Sequence, residues 1–156
     1  MKLYMCKRDY SLYVLDILIA GNKIVRYTKD ITNASELFNN DPIWDATIRE
    51  LTLIGEAVNI LLKENIIDKK FRRLVDFRNM IVHGYFGIDE NIVWDVLEEK
   101  LPQFISELWQ LIETGSVDIK PAIINAKKER NSKEVQNYLE ELEKMIIDNQ
   151  QISTLN

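Results

Sequence analysis

Histidine occurs once in this 156-residue chain, as His83, and cysteine once, as Cys6. A lone cysteine cannot close an intrachain disulfide, and a cytoplasmic address is expected. With one His and one Cys, a Cys/His zinc site within one chain lacks ligands unless carboxylates dominate, so neither a metal nor a cofactor is expected. Only five Gly and three Pro are present, which argues against a loop-rich or fibrous protein. Long apolar runs are also missing. The stretch from Tyr10 to Leu15 is stopped by Asp16, well short of the roughly 18–20 residues of a membrane span. The N-terminus, Met1 to Asp9, has no apolar core and no small-residue cleavage site, so no signal peptide is expected. Positive charge is not in excess. Lys plus Arg total 20 against 25 Asp plus Glu, a net charge of −5. Coating nucleic acid by bulk charge is thereby excluded, and any such contact must come from a local basic patch.

Hydrophobic residues make up 46% of the chain and charged residues 29%, enough apolar surface for one folded domain with a small appendage. The pattern is helical throughout, since strict apolar/polar alternation persists nowhere. A first helix is predicted from about Lys7 to Lys29, with Val14, Ile17, Leu18, Gly21, Ile24 and Val25 as its stripe. A short helical piece follows near Glu36–Phe38. Asp41 is predicted to cap a second long helix, with Pro42 at its first position, running to about Glu64. Its stripe is Leu51, Ile54, Ala57, Val58, Leu61 and Leu62. A third helix spans about Lys69 to His83, and Gly84 is predicted to end it at positive φ. Asp89 caps a fourth, Glu90 to about Glu99, and Pro102 starts or kinks another to Glu113. This first unit covers residues 1–116. Residues 117–156 form a C-terminal helical extension: a short helix from Pro121 to about Glu129, then an amphipathic helix carrying Val135, Tyr138, Leu139, Leu142, Met145 and Ile146. Asn131 with Glu134 reads as its capping box, and Asn149–Asn156 as frayed. That helix packs either on its own chain or on a partner chain.

The chemistry concentrates in Arg78-Asn79-Met80-Ile81-Val82-His83-Gly84-Tyr85-Phe86, where an Arg, the sole His and a Tyr meet at a helix end. Just upstream lies the densest basic run, Lys69-Lys70-Phe71-Arg72-Arg73. Each group has an ordinary alternative. The arginine can pair with a carboxylate, the histidine can be a packing residue, and the basic run can be a solvated helix face. Five residues on an ideal helix put Arg78 and His83 roughly 140° apart, so they do not share a face. Asn79 and His83, four apart, do share one. Metal-free RNA cleavage needs a base for the 2′-hydroxyl and an acid for the leaving 5′-oxygen. Histidine suits both tasks near neutral pH, but each chain has one. A symmetric dimer would bring two His83 residues together, with Arg78 stabilising phosphorane charge.

Arg78-x4-His83-x-Tyr85 resembles the signature of HepT-like HEPN-domain ribonucleases. The resemblance extends through Lys7-Arg8-Asp9-Tyr10, Asp16-Ile17-Leu18, Ile54-Gly55-Glu56-Ala57, Asp89, Val93-Trp94 and Leu101-Pro102, about residues 7 to 113. It implies an all-α fold, a HEPN-type bundle of four to five helices, followed here by the extension. It also implies a homodimeric toxin of a type II/VII-like toxin–antitoxin pair, cleaving RNA without a metal at a cleft between protomers. Arg78 and His83 would be the catalytic pair. The implied antitoxin is a minimal nucleotidyltransferase that transfers AMP to Tyr85. Asn79 and Glu56 are candidate supporting groups, Glu56 by pairing with Arg78 or another basic group. Lys69, Lys70, Arg72 and Arg73 are candidate RNA contacts. Trp94 and Trp109 are candidate packing residues near the dimer region, or ordinary core. The rival reading is a non-catalytic HEPN partner that binds a nucleotidyltransferase or its nucleotide; a plain helical dimerisation module would explain the stripes but not the motif.

Overall fold

The computed structural model describes residues 9–84 and 87–153, the last three of these by backbone alone. Among the described residues there is no strand, and the fold is all-α. Helix α1 (Tyr10–Thr28) starts at Tyr10 rather than about Lys7, because the Asp9 carboxylate accepts the Ser11 N–H at 3.0 Å and caps the helix there. Lys7 and Arg8 lie outside the described residues. Helix α2 (Ala34–Phe38) is capped by Asn33. Helix α3 (Asp41–Lys63) is capped by Asn40, not by Asp41: the Asn40 side chain accepts from the Ile43 N–H at 3.3 Å. Asp41 instead adds negative charge to the first turn, where the helix dipole favours it.

The predicted third helix divides. Asp68 caps a 3₁₀ turn, Lys69–Phe71, and helix α4 (Arg72–His83) follows. Helices α5 (Glu90–Asp95) and α6 (Leu101–Glu113) are joined by a π-helical turn, Val96–Lys100. The Leu101 N–H donates to the Val96 carbonyl five residues back. The widened turn stands just before Pro102, which has no N–H to continue a regular ladder. Helices α7 (Lys120–Lys128) and α8 (Lys133–Ser153) complete the chain. Ser132, not Asn131, caps α8, its hydroxyl accepting from the Val135 N–H at 3.3 Å. The Asn131 amide turns away to donate to the Ala126 carbonyl at 2.8 Å. The last helix continues to Ser153 where fraying was expected from Asn149.

Helix α3 lies between α1 and α4 and packs on both. The core is built from the predicted stripes: Val14, Ile17, Leu18 and Ile24 of α1 meet Leu51, Ile54, Ala57, Val58 and Leu61 of α3. Val25 departs from its stripe and is exposed, at the lip of a groove described below. Met145 of α8 is likewise exposed. The extension packs back on its own chain, against α1. Ile119, Ile123, Leu139 and Leu142 are fully buried and belong to the same apolar cluster as the first helices. Tyr138 of α8 is partly buried against the same cluster, and desolvation, helped by the Glu141 charge, pushes its phenol up to about 12. Two contacts fix α4 in this frame. Its inner face buries Leu74, Val75 and Phe77, and Phe71 at its start packs against Phe104 of α6, the ring centres 4.7 Å apart and the planes tilted by 58°.

Candidate active site on helix α4

Because Leu74, Val75 and Phe77 face inward, α4 turns Arg72, Arg73, Asp76, Asn79, Met80, Val82 and His83 outward. Arg78 sits on the seam between the two faces, against α3. The approach there is close. A Cβ placed on Gly55 of α3 would lie 2.3 Å from the Arg78 Cβ and 2.7 Å from its Cγ. No side chain fits at position 55, so the glycine is required by the crossing of the two helices. A glycine within a helix costs about 1 kcal/mol relative to alanine, which is the sequence signal that marks such a close approach.

The next residue of α3, Glu56, reaches the same arginine. Nη2 of Arg78 donates to Glu56 Oε1 at 3.0 Å, and Nη1 donates to Asn79 Oδ1 at 3.1 Å. Of the two candidate supporting residues, both therefore touch Arg78. The Arg78 Nε is buried with no partner. A guanidinium has five N–H donors. With one N–H of each terminal nitrogen taken, each terminal nitrogen retains another. Charge-assisted donors of this kind are available to a phosphate oxygen. The Arg78 and Glu56 side chains are 28% and 49% exposed. Water reaches the pair, so its contribution to stability is small and its effect is on orientation.

His83 is the last residue of α4 and is exposed. Gly84 follows with φ −79°, so the expected positive φ is absent there. Its glycine is needed for another reason: a Cβ would lie 2.6 Å from the Met80 carbonyl oxygen. The positive φ of the turn falls on Gly87, at 94°. Tyr85, the expected site of AMP transfer, lies outside the described residues.

The basic run is partly committed within the chain. Lys70 is bound to Glu107 of α6 at 2.6 Å, and this hydrogen bond raises its ammonium above the ordinary lysine value. Arg72 stands 3.9 Å from Asp76, both well exposed. Among the described residues Lys69 and Arg73 have no ion-pair partner. Arg73, Met80, Ile92 and Lys100 line a groove of about 630 Å³ between α4 and the α5–α6 arm, floored by Phe71, Leu74 and Phe77. Trp94 and Trp109 lie elsewhere. They line a second groove of about 820 Å³, against α1 and Tyr138. Among the described residues no group of three or more His, Cys, Asp or Glu could hold a metal ion. None of the helices there is long and apolar enough to cross a membrane.

Comparison with known proteins gives these features a context. The chain is 36% identical over 107 residues to a Methanocaldococcus jannaschii protein named "Putative RNase MJ1380", a match covering 67% of this chain and 97% of the relative. A second protein of that organism, "Putative RNase MJ0125", is 34% identical over 112 residues, covering 70% of this chain and 96% of its own. "Probable ribonuclease HepT" of Thermococcus cleftensis is 29% identical over 99 residues, covering 62% of this chain and 89% of that protein. No solved structure matches. The family model described as "Ribonuclease HepT-like" matches residues 17–111, from within α1 almost to the end of α6, and α7 and α8 lie beyond it. By that match and by these relatives, the chain belongs to the ribonuclease HepT-like family.

Proposed function

We propose that the protein is a metal-independent endoribonuclease that acts as a homodimer. The supporting observation is the Arg78 guanidinium, held by Glu56 and Asn79 with terminal N–H donors to spare, on the helix that ends in the exposed His83. In the reaction His83 of one protomer removes the proton from an RNA 2′-hydroxyl. The 2′-oxygen attacks phosphorus, and the bond from phosphorus to the 5′-oxygen breaks. His83 of a second copy gives a proton to that leaving oxygen. The products are a 2′,3′-cyclic phosphate and a free 5′-hydroxyl, and Arg78 neutralises the charge that builds on the phosphorane. Two copies are needed because each chain supplies one histidine. The exposed apolar side chains Met80, Val82 and Ile92, on and beside the motif helix, are a surface a second copy would cover.

The protein works in the cytoplasm as the toxin of a toxin–antitoxin pair, and its partner is a minimal nucleotidyltransferase that silences it by transferring AMP to Tyr85. Lys69, in the 3₁₀ turn before α4, and Arg73, in its first turn, extend the phosphate contacts. Purified protein should cleave RNA with EDTA present. His83→Ala and Arg78→Ala should each abolish cleavage while the protein stays folded, since truncating exposed or half-buried side chains costs about 1–2 kcal/mol or less. Full activity in a folded His83→Ala protein would refute the mechanism. A requirement for a divalent ion would refute its metal independence. An active monomer by light scattering would refute the shared site.

A further inference from the structure

We propose that Glu56 is a positioning residue for Arg78, and that the protomer presets the arginine of the reaction while leaving its histidine unset. The inference rests on the ribonuclease reading. Three constraints converge on one side chain. Gly55 admits the Arg78 Cβ and Cγ against the α3 backbone, so the stem has one path. Glu56, 22 residues away in sequence, takes one N–H of Nη2, and Asn79 takes one of Nη1. Nε is buried, so no substrate oxygen reaches it. What is left for a phosphate is one N–H on each terminal nitrogen. Which way those two point is decided by Glu56 and Asn79 together, because a guanidinium is planar and fixing its terminal nitrogens fixes its plane, and of the two partners Glu56 is the charged one and the one on a different helix. Glu56 itself stands on α3, outside the motif helix, so the aim of Arg78 depends on how α3 and α4 pack and not on a second copy. His83, by contrast, is exposed at the free end of α4 with no hydrogen bond among the described residues. It takes its working position only when RNA or another protomer closes over it.

A positioning role predicts a loss in turnover rather than in binding. Misaiming a transition-state group commonly costs about 100-fold. Glu56→Ala should therefore lower kcat by about 10–100-fold and change KM by less than about threefold, with the thermal melt unchanged. Glu56→Gln keeps an acceptor at the same reach and should recover most of the loss. In an Arg78→Lys background, adding Glu56→Ala should cost nothing more, because residues that act through one another are not additive. Two outcomes overturn the proposal: Glu56→Ala as fast as or faster than the wild type, in which case the carboxylate is idle or competes with RNA, or an undiminished loss in the Arg78→Lys background. Nuclear magnetic resonance of the Arg78 side chain reads the same point without activity. In the wild type, hindered rotation should give separate Nη proton signals that merge in Glu56→Ala. Signals already merged in the wild type would overturn the proposal, whereas separate signals in a protein that cleaves no RNA would uphold the positioning and refute the ribonuclease reading instead.

Discussion

The residues around Arg78 divide between a held and a free group. The guanidinium is tied to Glu56 and Asn79, and the imidazole of His83 is exposed. Tyr85 follows two residues past His83 in the sequence. A tyrosine hydroxyl is a competent nucleophile for the α-phosphorus of ATP once a partner enzyme and magnesium align it, with pyrophosphate leaving. On the proposed function, the attached AMP would bring one phosphodiester charge and a bulky nucleoside within two residues of His83, and would repel and obstruct an RNA phosphate there. Tyr85→Phe keeps the ring and removes the oxygen. This variant should fold and resist silencing by the cognate nucleotidyltransferase with ATP. Mass spectrometry should find AMP on Tyr85 of the wild type and none on the variant. AMP on another residue, or suppression with no AMP attached, would show that silencing does not run through this tyrosine.

At the scale of elements, the decisive feature is the crossing of α3 and α4. Alanine at position 55 would gain about 1 kcal/mol of helix propensity. Against this, its methyl would overlap the stem of Arg78, whose Cβ is tied to the backbone and cannot swing aside. Overpacking of a tight contact costs about 1–3 kcal/mol. With a backbone-tied Cβ in the way the steric term is at the upper end of that range and outweighs the propensity gain, so Gly55→Ala should destabilise the fold by up to about 2 kcal/mol in urea melts. It should also cut RNA cleavage, because α4 must move and take Arg78 with it. A more stable Gly55→Ala protein would mean that the two helices separate freely. The basic run shows the same dependence on neighbours. Lys70 and Arg72 look alike in sequence to Lys69 and Arg73, but Glu107 and Asp76 stand beside the first pair.

Over the whole molecule, the extension is part of the core. Helices α7 and α8 cover α1 with Ile119, Ile123, Leu139 and Leu142, all fully buried. Burying one such side chain contributes about 1.5–3 kcal/mol, and a domain's net stability is about 5–15 kcal/mol. Truncation after Ser116 should therefore lower Tm by more than about 10 °C or abolish the cooperative transition seen by circular dichroism. An unchanged melt would show that the first six helices stand alone. The family model stops at Leu111, so this cover for α1 is additional to the region this chain shares with the family. It leaves the α4 face open, with Met80, Val82 and Ile92 exposed there.

Local regularities carried much of this from the sequence alone. Helical periodicity placed Val14, Ile17, Leu18, Leu51, Ile54, Val58, Leu139 and Leu142 inside, because a stripe at that spacing has one face to bury. The motif Arg78-x4-His83-x-Tyr85 named the family for the same reason: its members are close in sequence. Choices among near-equal neighbours were not legible. Asn40 and Asp41, or Asn131 and Ser132, are each plausible caps, and only the path of the preceding chain selects one. Val25 belongs to an apolar stripe, yet it is exposed in a groove that α1 shares with Trp94 and Trp109, which only the packing of the helices reveals. Gly84 looked like a turn glycine and is instead spaced against a carbonyl. The pairing of Glu56 with Arg78 could be offered from sequence only as one partner among several. Tertiary structure decided it, because two side chains 22 residues apart meet only when Gly55 lets their helices touch.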